Sequence, residues 1–192
     1  MLKTDITKLL KTTKPKVGDT LFIGIDGHGG AGKLTLADSL AKELSAEIIQ
    51  TDDFASEDNP LEWWKLLAPT IFIPIQNGHT TLQYECSRWW ENPDQKRKLV
   101  SKQVTPIMII EGVSALRKEF RQYISLGIFV DTPLELCIKR GVQRDIADGS
   151  KKSRAALETV WRKWATEEQE YFKNHAPKIF ADIIIDGTKL AV

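Results

Sequence analysis

The most informative part of the sequence is the segment Gly27-His28-Gly29-Gly30-Ala31-Gly32-Lys33. It follows an apolar run at 21–26, which predicts a buried strand. After it, Leu36, Leu40 and Leu44 recur every four residues, as they would on one face of a helix. A strand, a glycine-rich loop and a helix in this order are the context of a phosphate-binding loop, because the loop amides can surround an anion at the positive end of the helix.

The loop matches the pattern G-x-x-x-x-G-K-[ST] at every position except the last. Lys33 supplies a mobile ammonium group for the β- and γ-phosphates of a nucleotide. The last position normally carries a hydroxyl that ligates Mg²⁺, but here it holds Leu34. Thr35 is the next residue, yet one helical step turns a side chain by about 100° around the axis, so it is a poor substitute. We therefore predict a phosphate site over residues 27–35 with an altered Mg²⁺ shell.

The size and composition predict one ordinary globular domain. The chain has 192 residues, of which 42% are hydrophobic and 28% are charged, and it can form a single core. Its net charge of +1 argues against strong general binding to nucleic acid or to an anionic membrane. Its two cysteines are too few for a disulfide framework, which favours a reducing cytoplasm. We find no export signal and no apolar run near the roughly 20 residues of a membrane helix, so we expect a cytoplasmic protein.

Apolar runs predict a parallel sheet with helices on both faces. We place its five strands at 20–26, 46–51, 105–110, 126–130 and 181–185. Helices are predicted at 4–13, from a Thr132 cap and Pro133 to about Ile146, and at 155–173. In the last helix we expect Trp161, Trp164 and Tyr171 to pack inward, and Glu167, Glu168 and Glu170 to be exposed.

Carboxylates lie directly after two of the predicted strands. Asp52, Asp53 and Phe54 come after the second strand, and Glu111 comes after the third, with Gly112 beside it. The carboxyl ends of parallel strands are where open α/β sheets bind ligands. A carboxylate at this edge can deprotonate an attacking hydroxyl or ligate Mg²⁺. A solvated turn at Asp52-Asp53 and a purely structural role for Glu111 are the alternatives.

The segment 60–98 is unusually rich in aromatic residues. A helix is predicted over 60–68, Pro69 and Pro74 interrupt the chain after it, and an extended segment then leads to Tyr84. The aromatic side chains are suited to stacking on a nucleobase or another flat substrate. The alternative is that most of them close a small core. The candidates among them are Trp63, Trp64, Tyr84, Trp89 and Trp90.

Two arginines lie four residues apart on the helix that is predicted to end near Ile146, so Arg140 and Arg144 share one face. Guanidinium groups on one face can hold phosphate oxygens and stabilise a phosphoryl group during transfer. A solvated basic face is the alternative. The polar break at 148–154, which precedes the last helix, has the composition of a mobile lid.

In their order along the chain, these features resemble the uridine kinase and phosphoribulokinase branch of P-loop kinases. The resemblance covers about residues 19–188, and the region 61–84 is similar to small bacterial uridine kinase-like proteins. After the phosphate loop, the matching motifs are Asp52-Asp53-Phe54, Glu111-Gly112, Val130-Asp131-Thr132, Arg140 to Arg144-Asp145, and Ala181 to Ile185. The resemblance implies one three-layer α/β/α domain over 1–192 with a parallel five-stranded sheet. Its parts would be an N-terminal helix at 1–18, a substrate-side insertion at 53–98 and a helical lid at 140–158.

The resemblance implies transfer of the γ-phosphate of ATP to a hydroxyl of a small molecule, with a nucleoside such as uridine as the first candidate. Asp52 would be the base that receives the proton of the acceptor. Lys33 would hold the β- and γ-phosphates, and Arg140 and Arg144 would steady the transferring group. Mg²⁺ would be held with help from Asp52 and Glu111.

The resemblance also assigns the binding surfaces. Gly187 and Thr188 would lie near the adenine of ATP. Only the alignment to the D-x-F motif selects Asp52 over Asp53 as the base. The acceptor would lie over 53–90, and its candidate contacts are Asp53, Phe54, Trp63, Tyr84 and Trp89.

Two departures from the family pattern bear on activity. Leu34 removes the hydroxyl that the family uses on Mg²⁺, so we expect weak or absent turnover with retained nucleotide binding. Cys137 and Gly141 stand where uridine kinases tend to carry further arginines, which leaves the acceptor open; pantothenate, glycerate and sugar phosphates are the other candidates. A nucleotide-binding protein without catalysis is the alternative from another class. The oligomeric state is also open, with a homodimer as one arrangement.

Overall fold

The computed structural model describes residues 2–55, 63–86 and 98–190. Its described strands are β1 (Leu21–Asp26), β2 (Glu47–Gln50), β3 (Thr81–Cys86), β4 (Lys98–Gln103), β5 (Ile107–Glu111), β6 (Leu126–Asp131) and β7 (Ile183–Asp186). Its described helices are α1 (Leu2–Leu10), α2 (Lys33–Leu44), α3 (Trp64–Leu67), α4 (Ile73–Gln76), α5 (Leu134–Ala147), α6 (Arg154–His175) and α7 (Pro177–Phe180). A π-helical segment, Ala68–Phe72, joins α3 to α4.

Five strands form a parallel sheet in the order β2-β5-β1-β6-β7. Each begins and ends within two residues of its predicted position, and the predicted α/β fold class is confirmed. The strand β1 lies at the centre of the sheet, between β5 and β6. The phosphate loop after β1 therefore leaves the middle of the carboxyl edge, where the strand order changes direction and α/β sheets bind ligands.

Apolar side chains cover both faces of this sheet, which forms the middle layer of a three-layer α/β/α fold. Along β1 and β5, Phe22 and Met108 belong to the core on one face, while Ile23 and Ile109 belong to the core on the other. Ile6 of α1 is fully buried in the second core, as expected for an amphipathic N-terminal helix. Burial on both faces explains why the strands are continuously apolar in the sequence. None of the helices within the described ranges has the length and apolar character needed to cross a membrane.

The helix that was expected to stop before Pro69 continues past it. The segments α3, Ala68–Phe72 and α4 succeed one another without a break. The prediction that Pro69 and Pro74 interrupt the chain is therefore wrong. Each proline occupies one of the first two positions of a new segment. A proline is tolerated there because its missing N–H is not required by that segment. The predicted start of this helix, at 60–62, lies outside the described residues.

A second sheet consists of the antiparallel pair β3 and β4. The sequence predicts the extended segment that contains β3, but no strand is predicted at β4. The strand β4 has only Leu99 and Val100 as apolar residues, and Leu99 is exposed. A strand with so few buried side chains carries almost no hydrophobic periodicity, so its pairing with β3 is visible only in three dimensions.

The carboxylate of Asp26 joins three chain segments beside the phosphate loop. Asp26 ends β1, and its side chain is completely buried. Its Oδ1 accepts hydrogen bonds from the amides of Gly27 at 2.7 Å and Ser114 at 3.2 Å. Its Oδ2 accepts from the amide of Leu116 at 2.8 Å and from the hydroxyl of Tyr171 at 2.6 Å. These donors replace the water that the carboxylate loses on burial, and they tie β1, the chain after β5 and helix α6 together.

We expect Tyr171→Phe to lower the free energy of unfolding by about 1–3 kcal/mol, because it removes one donor from a buried carboxylate. The measurement is urea unfolding monitored by circular dichroism. Tyr123→Phe is the matched control. Tyr123 stacks on Phe72 at 4.2 Å, and its hydroxyl has no hydrogen bond to any residue that the structure describes. Equal losses in the two variants would contradict the contribution of the Tyr171–Asp26 bond.

Candidate active site

The phosphate loop runs from the end of β1 to the start of α2, and its shape depends on glycines, of which Gly27, Gly30 and Gly32 have positive φ angles. The φ angles of Gly27 and Gly30 are 145° and 78°, in the region that favours glycine. A Cβ on Gly27 would lie 2.5 Å from the carbonyl oxygen of Val130. A Cβ on Gly30 would lie 2.3 Å from the carbonyl oxygen of Cys137. The loop therefore packs against the backbone of β6 and α5 in a way that larger residues would prevent.

The loop presents unpaired amides next to a buried ammonium group. Within the described ranges, the amides of Gly30, Gly32, Lys33 and Leu34 have no hydrogen-bond acceptor in the protein. Unsatisfied amides at a helix N-terminus bind anions. Lys33 is buried, and its Nζ donates to the carbonyl oxygen of His28 at 2.9 Å. Backbone donors and one cation are what the phosphates of ATP require, so these residues fit that ligand.

Among the described residues around the loop, the groups that fit Mg²⁺ are carboxylates. Leu34 is 43% exposed at the first turn of α2 and offers no ligand atom. Asp52 and Glu111 offer carboxylate oxygens, but the described part of the chain contains no group of three or more side chains arranged to hold a metal. Proteins commonly bind Mg²⁺ through one or two carboxylates together with substrate phosphates. Such a partial protein shell is compatible with the residues present.

The carboxylate of Asp53 is buried and hydrogen-bonded to other side chains. Asp53 lies in the turn after β2. The hydroxyl of Tyr84 donates to Asp53 Oδ2 at 2.8 Å, and the thiol of Cys86 donates to Oδ1 at 3.1 Å. This carboxylate therefore joins the turn after β2 to the buried side of β3.

Asp52 lies one residue earlier and is open to water. The protein packed around its carboxyl group nevertheless raises its pKa by desolvation, and the positive charges of Lys33 and Arg144 oppose that rise. Asp52 thus combines access from solvent with nearby cations. These surroundings favour Asp52 over Asp53 as a candidate base.

Glu111 occupies the buried end of β5. Desolvation raises the pKa of its carboxyl group to about 7, Lys33 opposes the rise, and Asp52 and Asp38 add to it. The side chain therefore changes its charge near neutral pH. The positive charge of Lys33 lowers the pKa of both Glu111 and Asp52. The two carboxyl groups and the ammonium group therefore form one electrostatic cluster, which we call the Lys33 cluster.

Three aromatic residues that were expected to contact the acceptor form part of the core. Phe54, Trp63 and Tyr84 are only 8%, 2% and 5% exposed. Phe54 stacks on Trp63 and on Tyr84, with ring centres 6.1 and 5.0 Å apart. Because these rings cover one another, the structure favours the alternative in which they close a core. Trp89, the remaining aromatic candidate, lies outside the described residues.

The two arginines of α5 have different surroundings. Arg140 donates to the carbonyl oxygens of Gly187 and Leu190 at 3.0 and 3.1 Å, so it binds the segment after β7. Arg144 is exposed, and its guanidinium carbon lies 5.4 Å from the ring centre of Trp161. The charge of Arg144 also lowers the pKa of both carboxyl groups in the Lys33 cluster. Of the two arginines, only Arg144 combines exposure with an effect on this cluster.

The segment after β7 lies beside the phosphate loop. A Cβ on Gly187 would be 2.6 Å from the carbonyl oxygen of Ala31. The Thr132 hydroxyl donates to the same oxygen at 2.9 Å, whereas α5 begins after Pro133 without a side-chain cap. The predicted capping role of Thr132 is therefore wrong, because its hydroxyl already has a partner in the loop. The expected contact of Gly187 and Thr188 with adenine stays a prediction.

Glu168 is not among the site residues predicted from the sequence, and it is 9% exposed rather than fully solvated. Its Oε2 lies 2.7 Å from His28 Nδ1, and its Oε1 accepts a hydrogen bond from the amide of Gly29 at 3.2 Å. One signal was available in the sequence. Glu168 comes seven residues after Trp161 and three before Tyr171, which places it on their face of the helix.

The raised pKa of Glu111 predicts a pH-dependent stability for the protein without nucleotide or metal. The folded carboxyl group holds its proton up to about pH 7, whereas an unfolded one loses it near about 4.5, so stability falls between these values as the pH rises. We expect Glu111→Gln, which stays neutral, to gain about 3 kcal/mol relative to the parent between about pH 5 and about pH 8. Urea unfolding in a chelating buffer measures this difference. The exposed Glu170→Gln is the control, and a parent curve parallel to that of Glu111→Gln would contradict the prediction.

Known proteins resemble this chain over most of its length. It is 26% identical over 185 aligned positions to the uridine kinase of Proteus mirabilis, and the alignment covers 85% of each protein. It is 23% identical to the uridine kinase of Yersinia enterocolitica, with 88% of each protein covered. The solved structure of a possible uridine kinase from Bacillus stearothermophilus shares the fold with a TM-score of 0.64 and 22% identity, covering 96% of this chain and 99% of that one.

The family match agrees with the geometry of the site. The profile of the Phosphoribulokinase / Uridine kinase family matches residues 76–188, which is more than half of the chain. The matched region contains Glu111 and both arginines of α5, and the phosphate loop precedes it. This chain belongs to the phosphoribulokinase / uridine kinase family.

Proposed function

We propose that this protein is a small-molecule kinase that transfers the γ-phosphoryl group of ATP to a hydroxyl, with a nucleoside such as uridine as the first candidate acceptor. The observation that carries the proposal is the Lys33 cluster beside the phosphate loop. In it, Lys33 acts on the carboxyl groups of both Asp52 and Glu111. Family membership supports the reaction type, and the relatives named uridine kinase support the choice of nucleoside.

In the proposed reaction, Asp52 accepts the proton of the acceptor hydroxyl, whose oxygen attacks the γ-phosphorus while ADP leaves. Lys33 and the loop amides hold the phosphates, and Arg144 stabilises the charge on the transferring group. Asp52 and Glu111 would hold Mg²⁺, which neutralises phosphate charge when bound. Arg140 supports the segment beside the nucleotide, and residues 140–158, which include the connection between α5 and α6, form the proposed lid.

The test of the proposed function is ADP release from ATP and Mg²⁺ in the presence of individual acceptors. The panel contains nucleosides, pantothenate, glycerate and sugar phosphates. We expect a weak rise in ADP release above the acceptor-free rate with one class of acceptor, and first with a nucleoside, because Leu34 leaves the Mg²⁺ shell without its hydroxyl. A response to pantothenate, glycerate or a sugar phosphate would retain the kinase and replace the nucleoside. ATP binding without any response would favour a protein without catalysis.

We expect Asp52→Asn to lower the acceptor-dependent rate by about 10²–10⁴-fold, because the amide cannot take the proton. The affinity for ATP should change little, because the loop amides and Lys33 remain. Asp53→Asn is the matched comparison. It should lower the free energy of unfolding, since it disturbs the contacts to Tyr84 and Cys86, and the folded variant should retain turnover. Full activity of Asp52→Asn would remove Asp52 from the role of base.

We expect Leu34→Ser to reduce the Mg²⁺ concentration needed for half-maximal turnover by about tenfold or more, equivalent to ~1.4 kcal/mol of binding free energy. The serine restores a hydroxyl at the position where related phosphate loops carry a metal ligand. Leu34→Ala is the matched control, because it removes the leucine side chain without adding a ligand atom. The same Mg²⁺ dependence in Leu34→Ser and Leu34→Ala would show that the missing hydroxyl does not limit activity.

The second candidate function is nucleotide binding without catalysis, as in a sensor or partner module. The exposed Leu34 at the position of the metal-ligating hydroxyl favours it. The two candidates differ in acceptor-dependent ADP release from the parent and from Leu34→Ser. Activity only in Leu34→Ser would indicate a kinase site disabled at its metal shell, and therefore a binding function for the parent.

A further inference from the structure

One face of helix α6 lies against the first half of the phosphate loop. Trp161, Glu168 and Tyr171 lie on this face. The hydroxyl of Tyr171 binds the carboxylate of Asp26 just before the loop. A Cβ on Gly29 would lie 3.0 Å from Trp161 Cζ3 and 3.1 Å from Glu168 Oε1, so both side chains pack directly on the loop. The helix thus contacts the chain at the start of the loop and again inside it.

Glu168 makes the polar contact inside the loop. Its two carboxylate oxygens are divided between the amide of Gly29, at 3.2 Å, and the ring of His28, at 2.7 Å. The His28 ring also packs edge-on against Phe172, one helical turn further along α6, with ring centres 4.6 Å apart. Both partners of the His28–Glu168 pair are largely buried. A buried carboxylate that accepts two hydrogen bonds holds its partners far more firmly than an exposed ion pair does.

This contact restricts the backbone freedom of a glycine-rich loop. Glycine has the greatest backbone freedom of any residue, and the loop has glycines at 27, 29, 30 and 32. A ligand that must order such a segment loses affinity through the entropy that it removes. If Glu168 has already fixed His28 and Gly29 during folding, the neighbouring free amides of Gly30 and Gly32 are ordered before a phosphate arrives.

We propose that Glu168 is a positioning residue for ATP. By accepting hydrogen bonds from the Gly29 amide and the His28 ring, it holds the first half of the phosphate loop in its ATP-binding shape. This inference rests on the proposed function, because it requires that the loop binds ATP. It adds a role for helix α6, because Glu168 of this helix contacts the loop. The negative charge of Glu168 also raises the pKa of Asp52.

The test compares ATP affinity in four forms of the full-length protein: the parent, Glu168→Ala, Glu168→Gln and Glu170→Gln. We expect Glu168→Ala to raise the Kd for ATP by about tenfold, since ordering a backbone residue costs about this much affinity. Glu168→Gln should restore most of the loss. Its amide oxygen can accept from the Gly29 amide, and its NH₂ group can donate to His28 Nδ1 in the tautomer in which that nitrogen is an acceptor. Glu170 is exposed on the same helix, and Glu170→Gln should bind ATP as the parent does.

The Kd for ATP is measured by isothermal titration calorimetry at a temperature far below the thermal unfolding midpoint of each variant. At that temperature the protein is folded, so a change in Kd reports on the loop and not on the stability of the fold. A merely structural role of Glu168 would lower the midpoint and leave the Kd of the folded protein unchanged, which would overturn the inference. A Kd for Glu168→Gln as weak as that for Glu168→Ala would also overturn it, since the hydrogen bonds would then not be the cause.

If Glu168→Ala does not fold, Glu168→Asp, whose shorter side chain cannot reach both partners, is judged by the same criteria. Failure of the parent to bind ATP would overturn the proposed function together with this inference, whereas an unaffected Kd in the variants would overturn this inference alone.

Discussion

The buried carboxylate of Asp26 is the constraint on which the candidate site depends. It lies at the point where the central strand becomes the phosphate loop, and it accepts hydrogen bonds from the next residue, from two amides after β5 and from Tyr171 of α6. A carboxylate in this position would be strongly destabilising without such donors. The hydrogen bonds therefore favour one relative arrangement of three segments, and that arrangement brings the end of β5 and the face of α6 to the loop.

The second organising element is electrostatic. Lys33 lies close enough to Asp52 and Glu111 to oppose the effect of burial on the pKa of both. Asp52 is open to water, whereas Glu111 is buried at the end of a central strand. Two carboxylates near one cation thus have unequal access to solvent, which is a basis for different chemical roles. The aromatic residues near the turn after β2 form part of the hydrophobic core, because Phe54, Trp63 and Tyr84 pack on each other rather than on an open surface.

Local signals in the sequence account for much of the fold and part of the site. The phosphate loop, the five parallel strands and the carboxylates that follow two of them were all predicted, because each depends on residue types within a short window. The strand β4 was missed because it has almost no apolar periodicity, and the helix through Pro69 was missed because proline position within a segment cannot be judged before the segments are known. The burial of Glu168 contradicted the usual preference of glutamate for solvent, since a partner in the loop outweighs that preference.

The sequence by itself determined the α/β class, the position of the phosphate loop and the loss of a hydroxyl at Leu34, because all of these are properties of consecutive residues. Only the tertiary structure decided which of two adjacent aspartates is held by Tyr84, which arginine binds carbonyl oxygens, and which glutamate of α6 contacts the loop. The physical reason is that hydrogen-bond partners and desolvation depend on segments that are far apart in the chain. Residue type determines what a side chain can do, and the packing of distant segments determines which partner it meets.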